Sequence, residues 1–391
     1  MHNSANFKSQ FLLRPDITFL NFGSFGACPK PVFDDYQHWQ LMLEREPIQF
    51  FAFQSAENLK KSREALSSFV HCHSDDIVFM SNPTTAINTI ANSFPLNKGD
   101  EILATDLEYG AMDRTWQYYC DKNGASYIRQ HISLPLVSKE IFIKQFWEGY
   151  TPNTKAIFIS QITSSTALKL PVEEICLEAK QRGLITIVDG AHVPAQMPLN
   201  INQLNADIYT GACHKWMMAP KGCSFLYVAT HMQNLINPLI VSWGYKSAAP
   251  SHSQFLDYHQ MNGTRDLAPY LSLPRAIQFM NDNNWTEVSA NCRKLAQSNY
   301  QRFCTLLGSV PNCPISDEFL GQMCSIAIRT SAPEQLQRLL YDKYKIEIPV
   351  MRHDKEVYIR YSIQAFNSPS DLDVLHNALI EIINSTDLIT I

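Results

Sequence analysis

Lys215 stands directly after His214, and 26 residues before it Asp189 closes the apolar run Leu184-Ile185-Thr186-Ile187-Val188. Asp189 opens the stretch Asp189-Gly190-Ala191-His192, and Lys215 ends a second strand-like run that begins near Asp207-Ile208-Tyr209. Two neighbouring strands would deliver a carboxylate and an amine to one edge of a sheet. A buried aspartate and a surface lysine at unrelated strand ends would give the same spacing. As a pair the two suit one chemistry. The amine condenses with an aldehyde cofactor as a Schiff base. The carboxylate keeps a pyridine nitrogen protonated, so that the ring draws electrons from a substrate α-carbon. That is the chemistry of pyridoxal phosphate.

Other residues fall where such a cofactor needs partners. Phe79-Met80-Ser81-Asn82-Pro83-Thr84-Thr85-Ala86 reads as a strand, a turn and a helix start. A helix N-terminus offers free N–H groups and the positive end of a dipole, which suit a phosphate. Thr84 and Thr85 add hydroxyl donors; an ordinary capped helix has the same signature. Tyr109 follows the run Glu101–Thr105 and is placed to stack on a ring or to lie as a half-buried surface tyrosine. Thr163 and Ser164 follow the run Ala156–Gln161, in a Ser/Thr cluster that also reads as a plain loop. His192 is a candidate for the cofactor's phenolic oxygen and His214 for its phosphate. Arg360 lies inside the strand-like Tyr358-Ile359-Arg360-Tyr361-Ser362, where a charge needs a partner. A substrate carboxylate is one such partner, because guanidinium binds it through two parallel hydrogen bonds; a nearby acid is another.

The elements that must position these residues alternate. Candidate strands are Asp76–Met80, Glu101–Thr105, Ala156–Gln161, Leu184–Val188, Ile208–Thr210 and Ser224–Val228. Helical stretches between them include Ala86–Ser93, Met112–Asn123 and Val172–Arg182. This alternation predicts an α/β fold with a mostly parallel sheet, whose ligands bind at the carboxyl ends of the strands. After about residue 250 the pattern changes to long helices over Pro269–Met280 and Trp285–Leu307. A strand at Met323–Arg329, a helix near Pro333–Tyr344, a hairpin-like Ile346–Ile363 and a last helix near Ser370–Ile383 come next. The expected organisation is an N-terminal segment over 1–60 at the site entrance, a large domain over 61–249 and a smaller α+β domain over 250–391.

Bulk properties exclude other classes. The chain has 391 residues, a net charge of −5 and no long basic stretch, so a nucleic-acid partner has no electrostatic footprint. No apolar run approaches the ~20 residues of a membrane span, and no signal-peptide core is expected at the N-terminus. Ten cysteines without a Cys-x-x-Cys pair read as reduced thiols of a cytoplasmic protein. No strand is followed by a Walker loop or by Gly-x-Gly-x-x-Gly, which disfavours a nucleotide. His71-Cys72-His73 is the one metal-like cluster; it lies on a predicted helix end, where adjacent side chains diverge, and no second ligand pair has suitable spacing, so no metal is expected.

The chain resembles the class V aminotransferases of pyridoxal phosphate fold type I, in the branch named for isopenicillin N epimerase. The stretches that carry the resemblance are Leu20-Asn21-Phe22-Gly23-Ser24-Phe25-Gly26-Ala27, Asp189-Gly190-Ala191-His192, Tyr209 through Trp216, Ala219-Pro220-Lys221-Gly222, Gly263-Thr264-Arg265-Asp266 and Ile359-Arg360-Tyr361-Ser362. They span nearly the whole chain. The resemblance implies a seven-stranded-type sheet in the large domain, Lys215 as the Schiff-base lysine and Asp189 as the pyridinium partner. It implies Tyr109 as the stacking ring, Thr84 and His214 at the phosphate, and Arg360 at the substrate carboxylate. It also implies that Asn21 and Ser24 line the substrate entrance, and that Thr264 reaches the phosphate of a neighbouring subunit in a homodimer with shared sites. Ala212 departs from the family, whose members often carry a polar residue there.

The resemblance implies an enzyme acting on an amino-acid-type small molecule, but relatives racemise, cleave C–S bonds, desulfurate or transaminate. A cysteine desulfurase needs a nucleophilic cysteine shortly before the carboxylate-binding arginine. Thr330–Tyr358 contains none, and Cys324 reads as a core thiol. The remaining reactions share removal of the α-proton by Lys215 and differ in the fate of the resulting carbanion. Epimerisation is the primary expectation, with C–S lysis or transamination as alternatives and a non-catalytic cofactor-binding protein as a further one. Tyr109 and Arg265 are the candidates for the far face, Tyr109 as a catalytic group and Arg265 as a substrate-binding one.

Overall fold

The computed structural model describes residues 7–391. After the short strand β1 (Thr18–Phe19), helices α1 (Lys30–Arg45) and α2 (Ser55–Val70) precede the central sheet. That sheet has seven strands: β2 (Ile77–Met80), β3 (Glu101–Thr105), β4 (Ser126–Gln130), β5 (Thr154–Ser160), β6 (Ile185–Asp189), β7 (Ile208–Ala212) and β8 (Ser224–Val228). Their spatial order is β2-β8-β7-β6-β5-β3-β4. Strands β3 to β7 run parallel to their neighbours among themselves, and β8 is antiparallel to both β7 and β2. Helices α3 (Pro83–Ser93), α4 (Gly110–Asn123) and α5 (Val172–Gln181) lie among the crossovers.

The inner strands are apolar on both sides because both faces of the sheet are covered. In β5, Ile157 and Ile159 join one buried cluster, and Ala156 and Phe158 join the other. Period-2 alternation thus feeds two cores from one strand, and each large apolar side chain so buried contributes roughly 1.5–3 kcal/mol. Strand β4 escapes the sequence reading for the same reason in reverse. It is an edge strand, Ser126-Tyr127-Ile128-Arg129-Gln130, in which only Tyr127 is buried.

The second sheet has the order β11-β12-β9, built from β9 (Met323–Ile328), β11 (Val350–His353) and β12 (Glu356–Ser362), all antiparallel. Strand β10 (Ile346–Glu347) pairs instead with β1, in parallel. Asn21 bridges to Ser362, so the N-terminal segment is tied to the end of β12. Helix α1 packs against the helices at Ala268–Leu271 and Leu273–Asp282, and α2 packs against the latter. Helix α1 is not anticipated by the sequence reading, and α2 only at its end, beside His71-Cys72-His73. Long helices cover Trp285–Leu306 and Pro369–Ser385, close to the expected ranges.

Candidate active site

Parallel neighbours β6 and β7 end side by side, and Asp189 is the last residue of β6, paired in register with Thr210 of β7. Asp189 is buried. One carboxylate oxygen accepts the Ala191 N–H at 2.9 Å, and the other has no partner among the described residues. Burial pushes the Asp189 pKa up; the Ala191 N–H and the nearby Lys215 pull it back. A cationic ring nitrogen against the free oxygen would pull it back further.

Lys215 does not end a strand. Strand β7 stops at Ala212, and the chain turns, with His214 N–H on Cys223 O at 3.0 Å and Met218 N–H on Lys215 O at 3.0 Å. The turn carries the lysine to the same cavity as Asp189. Lys215 Nζ lies 3.2 Å from His192 Nε2. Burial lowers the amine from its ordinary value to about 8; Asp189 works against that shift and Arg360 with it. The N-terminal segment presses on this turn. Gly26 has φ +64°, and a Cβ there would meet His214 O at 2.3 Å and Lys215 O at 2.8 Å. Gly26→Ala is therefore expected to displace the lysine turn and weaken cofactor retention by tenfold or more, the scale of about 1.4 kcal/mol. A dialysis-off rate equal to wild type would contradict this.

At the opposite side, α3 begins with Pro83 at its first position and Asn82 as its cap, the Asn82 side chain accepting Thr85 N–H at 2.8 Å. Asn82, Pro83 and Thr84 face the cavity, which makes this helix N-terminus the candidate phosphate cradle. His214 also lines the cavity. Its Nδ1 donates to Cys223 O at 2.9 Å, and burial holds its pKa down at about 4. A neutral His214 thus turns a bare acceptor towards the cavity. It donates to a phosphate only as an imidazolium, the state that a dianion opposite it favours.

Tyr109 caps α4 from outside and is half exposed at the mouth. Beside it Glu108 is buried, with its carboxyl pushed up to about 8 by burial and held by Ser160 N–H, Ser160 Oγ and Thr105 Oγ1. Arg360, on β12, is almost fully enclosed at 1% exposure. Its guanidinium donates to Ser164 O at 2.5 Å and to Ser24 Oγ at 3.2 Å, and its Nε has no partner. No carboxylate pairs with it among the described residues.

The structure thus brings Ser24, Thr84, Tyr109, Ser164, Asp189, His192, His214 and Lys215 to one cavity, with Arg360 bonded to two of its walls. Five expected positions lie elsewhere. Thr85 is absorbed in the α3 cap through Asn82 and Ser81. Thr163 is fully buried and closes its own turn on Thr166 and Leu168. Asn21 does not line the cavity; its side chain accepts from Ser24 Oγ and orients that hydroxyl. Thr264 is exposed, and Arg265 is bonded to Gln260 and Asn262, both outside this cavity. The sequence reading missed Ser160, Met112 and Ile162 as lining residues. Ser160 was within reach: it ends β5, in register with Asp189.

Residues 29–375 match the model of the family described as Aminotransferase class-V. The chain belongs to the class-V aminotransferase family. It is 31% identical to an isopenicillin N epimerase of Amycolatopsis lactamdurans, over 97% of this chain and 98% of that protein. It is 24% identical to a probable chloroplastic L-cysteine desulfhydrase of Arabidopsis thaliana, over 96% of this chain and 85% of the relative. An apo cysteine desulfurase structure from Thermococcus onnurineus NA1 superposes with a TM-score of 0.83 at 17% identity, covering 97% and 98% of the two chains. The fold is therefore fold type I, as expected, and this class-V protein is an enzyme with pyridoxal 5′-phosphate as its cofactor. The donor set fits that group. A buried carboxylate keeps one oxygen free for the ring nitrogen, an amine of lowered pKa stands beside it, and a capped helix N-terminus faces the cavity.

Proposed function

We propose that this class-V enzyme acts at the α-carbon of an amino acid or amino-acid derivative, as an epimerase of the isopenicillin N epimerase type. The observation that carries the reading is Arg360. A guanidinium enclosed without an acid, its pKa lowered to about 10 by burial, is an incomplete ion pair. A substrate α-carboxylate completes it. The similarity to the Amycolatopsis isopenicillin N epimerase over nearly all of both chains supports epimerisation. The similarity to a desulfhydrase supports C–S lysis as the second reading.

Thr84 and the α3 N-terminus would hold the phosphate, Asp189 the ring nitrogen and Tyr109 the ring face. Bound there, pyridoxal phosphate supplies the sink for the electrons left when the α-proton departs. Arg360 fixes the substrate carboxylate and so sets which α-substituent faces Lys215. Once free, the Lys215 amine takes the α-proton. Epimerisation then needs an acid on the far face. Tyr109 is the candidate on this chain. Arg265 lies outside this chain's cavity and would serve a partner's. No cysteine lines the cavity, and Cys324 is buried in β9 with its thiol pushed far up by burial. Both facts favour proton transfer or elimination over a persulfide route.

Incubation with an amino-acid panel in deuterated water tests the reading. α-Deuterium with inversion is expected. Pyruvate and ammonia without inversion would replace it with the lyase reading, and a keto acid with aminated cofactor would replace it with transamination. Arg360→Lys loses the paired hydrogen bonds to the carboxylate and is expected to raise KM roughly 10–100-fold, the range of one charged hydrogen bond. An unchanged KM would remove Arg360 from the substrate site.

The active unit we propose is a homodimer with shared sites. Thr264 is exposed on its own chain, and Phe25, Ile48, Phe53, Ile240, Val241 and Trp243 are exposed apolar side chains. Two inactive variants, Lys215→Ala and the double variant Thr264→Ala with Arg265→Ala, are then expected to complement when mixed. Half of the dimers are hybrids with one intact site each, so activity should recover to about a quarter of wild type under two-fold symmetry. No recovery after proven subunit exchange would contradict shared sites. A cytoplasmic location is proposed on the ten free cysteines.

A further inference from the structure

We propose that the indole of Trp216 is a positioning residue: it fixes His192 as the Nε2–H tautomer, which in turn favours the uncharged form of the free Lys215 amine. The inference rests on the proposed function only in taking Lys215 as the reacting amine.

Trp216 Nε1 donates to His192 Nδ1 at 3.4 Å, and Lys215 Nζ lies 3.2 Å from the other ring nitrogen, Nε2. Trp216 is fully buried and His192 nearly so. An indole N–H only donates, and a buried donor needs an acceptor. His192 Nδ1 must therefore present its lone pair. Turning the ring over would set a carbon against the indole and leave that donor unmatched.

His192 is held neutral, its pKa pushed well down first by burial and also by the Arg360 guanidinium. A neutral imidazole has one ring proton, and with Nδ1 accepting, that proton sits on Nε2. Nε2–H then faces Lys215 Nζ. An ammonium has no lone pair to accept it, whereas the free amine has one. The charged and titratable groups around the amine divide: Asp189 favours the ammonium, and Arg360 opposes it. The oriented His192 N–H adds to the second side. Trp216 thus acts on Lys215 through His192, although it follows the lysine directly in the chain. The neutral amine is the form that condenses with a carbonyl and that removes a proton.

The test uses the full chain freed of cofactor by a carbonyl reagent. Long-range ¹H–¹⁵N correlation on ¹⁵N-histidine protein, with His192 assigned by its loss in His192→Gln, reads the tautomer. The pH dependence of Lys215 acetylation, followed by mass spectrometry, reads the lysine midpoint. Wild type is expected to show the Nε2–H form. Trp216→Phe is expected to mix the tautomers and to raise the Lys215 midpoint by about half a unit or more. His192→Ala should raise it similarly, and His192→Gln, whose amide N–H can stand in for Nε2–H, should restore it. An Nδ1–H tautomer in wild type would overturn the proposal. So would a folded Trp216→Phe with unchanged tautomer and midpoint. If Trp216→Phe does not fold, equal midpoints in His192→Ala and His192→Gln would overturn it. None of these readings uses turnover, so a wrong tautomer with the cofactor still on Lys215 separates this failure from failure of the proposed function.

Discussion

Lys215→Ala is expected to lower turnover by about 10⁴-fold or more, because one group serves as nucleophile and as base. The variant should fold normally. Lys215 has no salt bridge among the described residues, and its one side-chain hydrogen bond is to His192. It should still take up cofactor through the α3 N-terminus and Asp189, but reversibly. A variant retaining more than a few per cent of wild-type turnover would remove Lys215 from the chemistry. The depressed pKa adds a pH test on the cofactor-free protein. Below pH about 8 the amine is an ammonium and unreactive; above it the free base predominates. Acylation of Lys215 should therefore rise through pH 8, where an ordinary lysine would rise near 10.5.

Asp189→Asn is expected to lower α-proton exchange by roughly 10²–10⁴, the scale of an essential electrostatic contact. The change keeps the shape and keeps an acceptor for Ala191 N–H. It removes the negative charge that the free oxygen would offer to the ring nitrogen. A folded, cofactor-loaded variant with near-wild-type exchange would show that Asp189 is not the ring partner. Because the substitution is nearly isosteric, a large fall in melting temperature is not part of the expectation.

Much of this site was legible because parallel strands end in functional residues. Asp189 ends β6 and Lys215 sits on the turn that follows β7, and the apolar runs leading to them mark buried parallel strands. Edge strand β4 was not legible, since its polar residues carry no core signal. Helix α1 and the body of α2 were missed because the N-terminal stretch was read only for its likeness around residues 20–27; the end of α2 was expected at His71-Cys72-His73. Thr85 and Thr163 show the limit of residue type as a guide. Each has the right hydroxyl just past the right strand, yet local hydrogen bonds to Asn82 and to Thr166 consume it. The link from Trp216 to His192 joins residues 24 apart, a contact between the turn after β7 and the turn after β6. No spacing rule reports it. Arg360 was legible as a charge in an apolar strand, but its lack of an acidic partner is a fact of packing alone.

The central claim is that this class-V enzyme works through a cofactor bound covalently at Lys215. Borohydride reduction of the holoenzyme, followed by digestion and peptide mass mapping, tests it most directly. The expected result is one pyridoxyl-bearing peptide per chain, modified at Lys215. Modification at Lys221 or at any other lysine, or no modified peptide from protein reconstituted with pyridoxal phosphate, would contradict it.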